Sequence, residues 1–122
     1  MSLAARHLEA HGIPTVIMGC AKDIVEHCGV PRFLFSDFPL GNSAGRPFDV
    51  ASQAETLALA LRVLESAPAA RTTVQSPLRW SADAAWKGDY LNLGKLSPEV
   101  IAERRKEFDE VKSIARAKRE VT

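Results

Sequence analysis

Cysteine is scarce in this sequence and long apolar runs are missing, and these two features exclude several classes of protein. Two cysteines in 122 residues are too few for the disulfide framework of a small secreted domain. The seven residues between Cys20 and Cys28 match neither a CxxC redox pair nor a zinc knuckle. No apolar stretch approaches the roughly 20 residues of a membrane-spanning helix, and no signal-peptide layout opens the chain. We therefore expect a cytoplasmic protein without a membrane partner.

An excess of one charge is also lacking. Sixteen Lys and Arg residues nearly balance 15 Asp and Glu residues, which leaves a formal net charge of +1. No global field therefore favours nucleic acid, and we expect none as a partner. His7 and His11 have helical spacing, but the glutamate of an HExxH motif does not accompany them. We expect neither a bound metal nor a cofactor.

The alternation of helical and apolar segments predicts a parallel α/β sheet. Residues 2–11 and 21–28 have helical patterns that end at a glycine. Residues 16–18 and 32–38 are apolar runs of the kind buried on both faces of a parallel sheet. Either residues 72–76 add a third strand, or another chain completes the sheet. We expect an α/β fold with a small parallel sheet and flanking helices, like half of a Rossmann or flavodoxin-like fold.

The clearest helical pattern begins near Asp49. Either Asp49 or Ser52 can cap this helix, and Ser52 with Glu55 fits a capping box. Five apolar residues keep helical spacing and predict its buried face: Ala54, Leu57, Ala58, Leu61 and Leu64.

The last part of the chain differs in kind from the α/β domain predicted over residues 1–70. Residues 71–96 hold both tryptophans and the one tyrosine, and predict an irregular aromatic arm that packs onto a neighbour. Residues 97–122 predict a long C-terminal helix with Ser97 as cap and Pro98 in its first position. Its apolar positions are sparse: Ile101, Phe108, Val111, Ile114 and Ala115. These positions form a narrow apolar seam along the helix. Such a seam is typical of a homo-oligomer formed through the arm and helix, or of a helix lying across its own domain.

Residues 36–47, SDFPLGNSAGRP, are a long Pro- and Gly-containing connection between the second strand and the long helix. Ligands of parallel α/β sheets bind beyond the carboxyl ends of the strands, where this loop and Cys20 both lie. The spacing of GNSAGR matches neither a P-loop nor a dinucleotide fingerprint. The loop is therefore either a site for a small ligand or a structural turn.

Five loop residues form the candidate substrate-binding set. Gly41 allows the backbone a positive φ or a close approach to a ligand. Asn42 and Ser43 can donate hydrogen bonds to a carboxylate, and Arg46 can clamp it with two parallel bonds. Asp37 can instead hold an amine or order Arg46. We expect these groups to act together if the loop binds a ligand.

Cys20 is the candidate catalytic residue. It follows the first strand and precedes a helix, where a helix dipole stabilises a thiolate. No histidine or lysine is fixed beside it by the sequence. A reactive thiol and an inert, buried cysteine are the two interpretations of this position.

The segment HLEAHGIPTVIMGCAKDIVEHCGVPRFLFSDFPLGNSAGRP resembles the glycine, sarcosine and betaine reductase component B family, the selenoprotein B family, and especially its shorter relatives. The shared signature is GIPTV at 12–16 and PLGN at 39–42. The resemblance extends over residues 3–66, and SPLRW at 76–80 is similar to the shorter relatives.

This resemblance implies an oxidoreductase that cleaves a C–N bond of a small amino-acid-like substrate, together with a partner reductase subunit that carries a carbonyl group. In the family, a selenocysteine or cysteine upstream of the GIPTV helix does this chemistry. Neither Cys20 nor Cys28 occupies that position. Because the first helix begins at residue 2 with no strand before it, we expect an upstream strand encoded beyond an in-frame UGA codon.

Three functions follow as hypotheses. The chain is the C-terminal part of a selenoprotein-B-type reductase, incomplete as an enzyme. Alternatively, it is a non-catalytic module that binds a small ligand or assembles with a partner. The third hypothesis is a stand-alone thiol enzyme that uses Cys20.

Overall fold

The computed structural model describes residues 1–89, 94 and 96–120. These residues form two compact units, Met1–Ala84 and Ala85–Thr122. The first unit contains six elements in chain order: α1 (Ser2–Ala10), β1 (Ile17–Gly19), α2 (Lys22–Cys28), β2 (Arg32–Phe35), α3 (Val50–Ser66) and β3 (Thr72–Gln75). The second unit contains α4 (Trp86–Asp89) and α5 (Pro98–Glu120).

The three strands form one parallel sheet in the order β1-β2-β3. Met18 pairs with Leu34, and Leu34 pairs with Val74. The predicted small parallel sheet, its flanking helices and its third strand are therefore confirmed. The second strand is shorter than predicted, because the Phe38 N–H donates a 2.8 Å hydrogen bond to the Ser36 carbonyl and turns the chain.

Neighbouring residues of a strand point to opposite faces of the sheet. In β2, a helix covers each of these faces. A Cβ added to Gly19 would lie 3.1 Å from the Phe33 ring and 3.6 Å from a Val25 methyl group, so this face packs beside α2. On the other face, the fully buried Leu34 packs with Ala60 and Val63 of α3. Helices α2 and α3 thus enclose a small core centred on β2.

The buried face of α3 is not the leucine stripe that its sequence predicts. Small or hydroxylated side chains turn inward instead: Ser52, Thr56, Ala60 and Val63. Leu57 and Leu61 of the predicted stripe are 53% and 49% exposed. Small side chains allow α3 to lie close to β2 and to the preceding loop, and the Thr56 hydroxyl is satisfied by donating to the Ser52 carbonyl at 2.8 Å. Leu57 and Leu61 are left half exposed, whereas Leu59 packs against the core.

Asp49 rather than Ser52 is the N-cap of α3. Its Oδ1 atom accepts a 3.0 Å hydrogen bond from the Ser52 N–H, and Val50 is the first helical residue. The predicted capping box of Ser52 and Glu55 is therefore wrong. The Ser52 hydroxyl serves the loop instead, since it accepts the Arg46 N–H at 2.8 Å.

In the second unit, α5 begins as its sequence predicts. The Ser97 hydroxyl accepts a 3.3 Å hydrogen bond from the Val100 N–H, and Pro98 is the first helical residue. Two residues of the predicted seam, Ile101 and Phe108, are exposed. The side chains of the other seam positions (111, 114 and 115) and the tyrosine at position 90 lie outside the described residues.

The tryptophans of the predicted arm have different surroundings. Trp80 lies in the first unit and packs edge-on against Phe38, with ring centroids 5.5 Å apart. Trp86 lies in α4, where the Lys87 ammonium group is 5.5 Å from its ring centroid. Among the helices described here, none is both long enough and apolar enough to cross a bilayer.

Candidate functional site

The loop between β2 and α3 has a fixed internal structure. Phe38 and Pro39 are buried, and Phe38 packs against Trp80. The Pro39 carbonyl accepts two hydrogen bonds of 3.1 Å from Asn42, one from its backbone N–H and one from its side-chain Nδ2. The Gly45 N–H then donates to the Asn42 carbonyl at 3.3 Å. These bonds hold the PLGN segment in a compact turn beyond the end of β2.

The second half of the loop rests on the first turn of α3. Gly45 is buried with φ +109°, and a Cβ at this position would lie 2.8 Å from the Gln53 Cα. Arg46 bonds to the same turn twice. Its N–H donates to the Ser52 hydroxyl, and its carbonyl accepts from Gln53 Nε2 at 2.9 Å. The loop and the helix start are therefore one packed unit.

A groove of about 420 Å³ lies between this loop, β1 and α3. It is lined by Met18, Gly41, Asn42, Ala44, Gly45, Pro47, Gln53 and Leu57. The side chains of Met18, Pro47 and Leu57 make much of its wall apolar. Since Met18 belongs to β1 and the loop leaves β2, the groove is at the carboxyl ends of two parallel strands, where α/β proteins bind ligands.

The polar side chains that line the groove are the amides of Asn42 and Gln53. Asn42 Nδ2 donates to the Pro39 carbonyl and Gln53 Nε2 donates to the Arg46 carbonyl. Beyond these bonds, each amide group keeps its oxygen as an acceptor and one N–H as a donor. Several donors of the surrounding loop and helix start are engaged internally, including the N–H groups of Asn42, Gly45 and Arg46. The amide oxygens of Asn42 and Gln53 can thus accept hydrogen bonds from a ligand.

The structure brings two of the five predicted binding residues into the groove lining and places the other three beside it. Gly41, with φ +93°, and Asn42 line the groove. Asp37, Ser43 and Arg46 do not contribute to its lining. Arg46 Nε lies 3.4 Å from Asp49 Oδ2, so its guanidinium group helps to fix the cap of α3.

Cys20 lies beneath the same loop, as its position after β1 predicts. Burial raises the pKa of the Cys20 thiol; the backbone N–H groups of Phe38 and Asn42 lower it, and the nearby Asp37 carboxylate raises it further. The net result is a pKa above the ordinary value of 9.0. The thiol is therefore protonated at neutral pH and is a poor nucleophile there.

The apolar wall of the groove and its second amide side chain were missed by sequence reasoning. The sequence pattern predicts that Met18 is a strand residue buried on both faces and that Leu57 belongs to the core face of α3. Gln53 follows the cap of α3 and carries no motif of its own. The sequence shows that the loop follows a strand end, so it predicts that the two lie close together. It does not reveal which side of α3 faces the groove.

No family model, curated protein or solved structure matches this chain. Within the described ranges, no group of three or more His, Cys, Asp and Glu side chains could hold a metal ion.

Proposed function

We propose that this chain is a non-catalytic binding module of the cytoplasm that holds a small amine with an apolar substituent in the groove. The observation that carries this proposal is the position of the groove, at the carboxyl ends of β1 and β2 against the start of α3. Its apolar wall accepts an alkyl group, and the amide oxygens of Asn42 and Gln53 accept hydrogen bonds from an ammonium group.

The charge beside the groove favours the same class of ligand. Asp37 lies near the end of β1, close enough to Cys20 to raise the pKa of its thiol. Arg46, the residue expected to clamp a carboxylate, is already 3.4 Å from the Asp49 carboxylate. An amine therefore meets acceptors and a nearby negative charge, whereas a carboxylate competes with Asp49 for Arg46.

The stand-alone thiol enzyme is the less favoured alternative. Such an enzyme needs a thiolate near neutral pH, and burial raises the pKa of Cys20 instead. We therefore assign Cys20 a packing role beneath the loop between β2 and α3.

The experiment uses two probes of matched shape and opposite charge, isoamylamine and isovalerate. Each is titrated into ¹⁵N-labelled protein, and amide shifts are followed by NMR. We expect isoamylamine to shift the signals of Gly41, Asn42, Ala44, Gly45 and Gln53, and isovalerate to leave them unchanged. Binding of isovalerate alone, or of neither probe, would contradict the proposal.

A matched pair of variants locates the binding. Leu57→Asn places a polar group in the groove wall, whereas Leu61→Asn changes a similarly exposed residue one turn later that does not line the groove. We expect Leu57→Asn alone to weaken amine binding. Equal affinities of the two variants would place the bound amine elsewhere.

We also propose that the module shares ancestry with selenoprotein-B-type reductases and forms half of a larger Rossmann-like or flavodoxin-like sheet. The supporting observations are the parallel strands in sequential order, helices on both faces, and the PLGN turn beyond a strand end. The partner of such a module is the carbonyl-containing subunit of the reductase. Sedimentation of the purified mixture should show a complex, and two unchanged separate species would argue against this relationship.

A further inference from the structure

Phe48 is the most exposed large apolar side chain in the described part of the chain. It is 103% exposed, and its backbone has φ +58°, a conformation that bulky residues rarely adopt. The strained turn is held in place on both sides, by the buried Gly45 and by Asp49 at the cap of α3. An aromatic ring fixed in solvent by a strained backbone is unfavourable for an isolated chain, which points to a use for the exposed ring.

The groove next to Phe48 is open and has the chemistry to receive an aromatic ring. Pro47, its neighbour in the chain, lines the groove together with Met18 and Leu57. Thioether groups make favourable contacts with aromatic rings. The Phe48 ring does not use its own groove, because it is fully exposed. A projecting ring and an apolar groove thus lie side by side on one surface.

We propose that a second copy of this chain places its Phe48 ring into this groove, in a symmetric dimer where each groove receives the partner copy's ring. Because ring and groove are adjacent, one two-fold axis can satisfy both contacts at once. The partner copy then contributes a residue to a site that is open in the single chain. The groove of about 420 Å³ has room for the ring beside a small alkyl group, so the ring completes the apolar wall against which the amine packs.

Two further features favour a second copy as the occupant. The groove is continuous through Leu57 with the exposed apolar side of α3, where Val50 and Leu61 are 76% and 49% exposed, so a dimer covers a larger apolar surface. The formal net charge of +1 gives little repulsion between identical copies. Only the contact between this ring and the ligand rests on the proposed function. The dimer itself is tested on ligand-free protein.

The first test is analytical ultracentrifugation over a wide concentration range. We expect the wild type to form a dimer and Phe48→Ser to weaken it by at least about tenfold, as for a central aromatic contact. Ile24→Ser is the control, because Ile24 is 63% exposed on α2, the helix beside the other face of β2. Phe48→Gly provides a second variant, since glycine adopts positive φ readily and keeps the fold.

The second test identifies the contact. A mixture of ¹³C-labelled and unlabelled protein is examined for NOEs between copies. We expect cross-peaks from the Phe48 ring to the methyl groups of Met18 and Leu57. A monomer at every concentration, a dimer unaffected by Phe48→Ser, or a dimer lacking these cross-peaks would each overturn the proposal. Failure of amine binding with an intact dimer would overturn the proposed function alone.

Discussion

The backbone of Gly45 lies so close to Gln53 that a methyl group on Gly45 would come within 2.8 Å of the Gln53 Cα and 2.9 Å of its nitrogen. Both atoms belong to the backbone of α3 and cannot move aside without shifting the helix. This contact fixes the loop between β2 and α3 against the helix start, and therefore fixes one wall of the groove.

We expect Gly45→Ala to destabilise the protein by about 3 kcal/mol, from the strain of a positive φ together with the clash against α3. Gly41→Ala is the matched control, since Gly41 also has positive φ but its added Cβ would meet nothing within 4 Å. It should cost only about 1–2 kcal/mol, the strain of the conformation itself. Urea unfolding measures both values, and equal losses would show that the close contact contributes nothing.

The elements of the first unit were predictable because their signals are local. Gly29 ends α2 in the left-handed conformation. Asp49 caps α3 by accepting a hydrogen bond from the N–H of Ser52, three residues later. The apolar runs of β1 and β2 likewise required only the residues within them. Such features depend on few neighbours, so a sequence pattern suffices to place them.

The orientation of α3 was not predictable in the same way. Its leucines at helical spacing predicted the core face, yet the small residues Ala60 and Thr56 are buried. The side of α3 that packs inward depends on how closely the preceding loop and β2 approach the helix. Gly45 sets part of the distance between the loop and α3. The groove depends on the same choice, because the half-exposed Leu57 lines it instead of packing in the core.

Glu9 should make the stability of the protein depend on pH. Its carboxylate accepts hydrogen bonds from the Thr15 backbone and hydroxyl and from Arg32, whose Nη1 lies 2.6 Å from Glu9 Oε1. The hydrogen bond from the Thr15 N–H is the largest contribution that lowers the pKa of Glu9 below its ordinary value of 4.5. A folded-state pKa below the unfolded value means that this stabilisation is complete above pH 4.5 and is lost as the pH falls through the folded-state pKa.

We expect Glu9→Gln to lower the free energy of unfolding at pH 7 by about 1 kcal/mol, because the ion pair is partly open to water. The variant should also lose less stability than the wild type between pH 5 and pH 3. Urea titrations across this range provide the measurement. Parallel pH profiles for the two proteins would show that Glu9 does not carry the acid dependence.

Cys20 should react slowly with iodoacetamide at neutral pH. Burial raises the pKa of its thiol above 9.0, so little thiolate is present and the reaction should accelerate as the pH rises through that raised pKa. The Cys28→Ser variant isolates Cys20, and the same protein unfolded in urea gives the reference rate. Asp37→Asn removes a carboxylate that raises this pKa and should speed alkylation modestly. A folded protein that reacts faster than the unfolded reference would restore Cys20 as a candidate nucleophile.

The two sides of α3 should respond differently to truncation. Val63 is 5% exposed and packs against Leu34, so Val63→Ala should lower the free energy of unfolding by about 2 kcal/mol through lost burial and a cavity. Leu61 is the larger side chain, but it is 49% exposed, and Leu61→Ala should change the stability by no more than about 0.5 kcal/mol. Both are measured at low protein concentration, where a dimer cannot mask the result. A larger loss for Leu61→Ala than for Val63→Ala would mean that the side of α3 with Leu57 and Leu61, rather than the side with Val63, packs into the core.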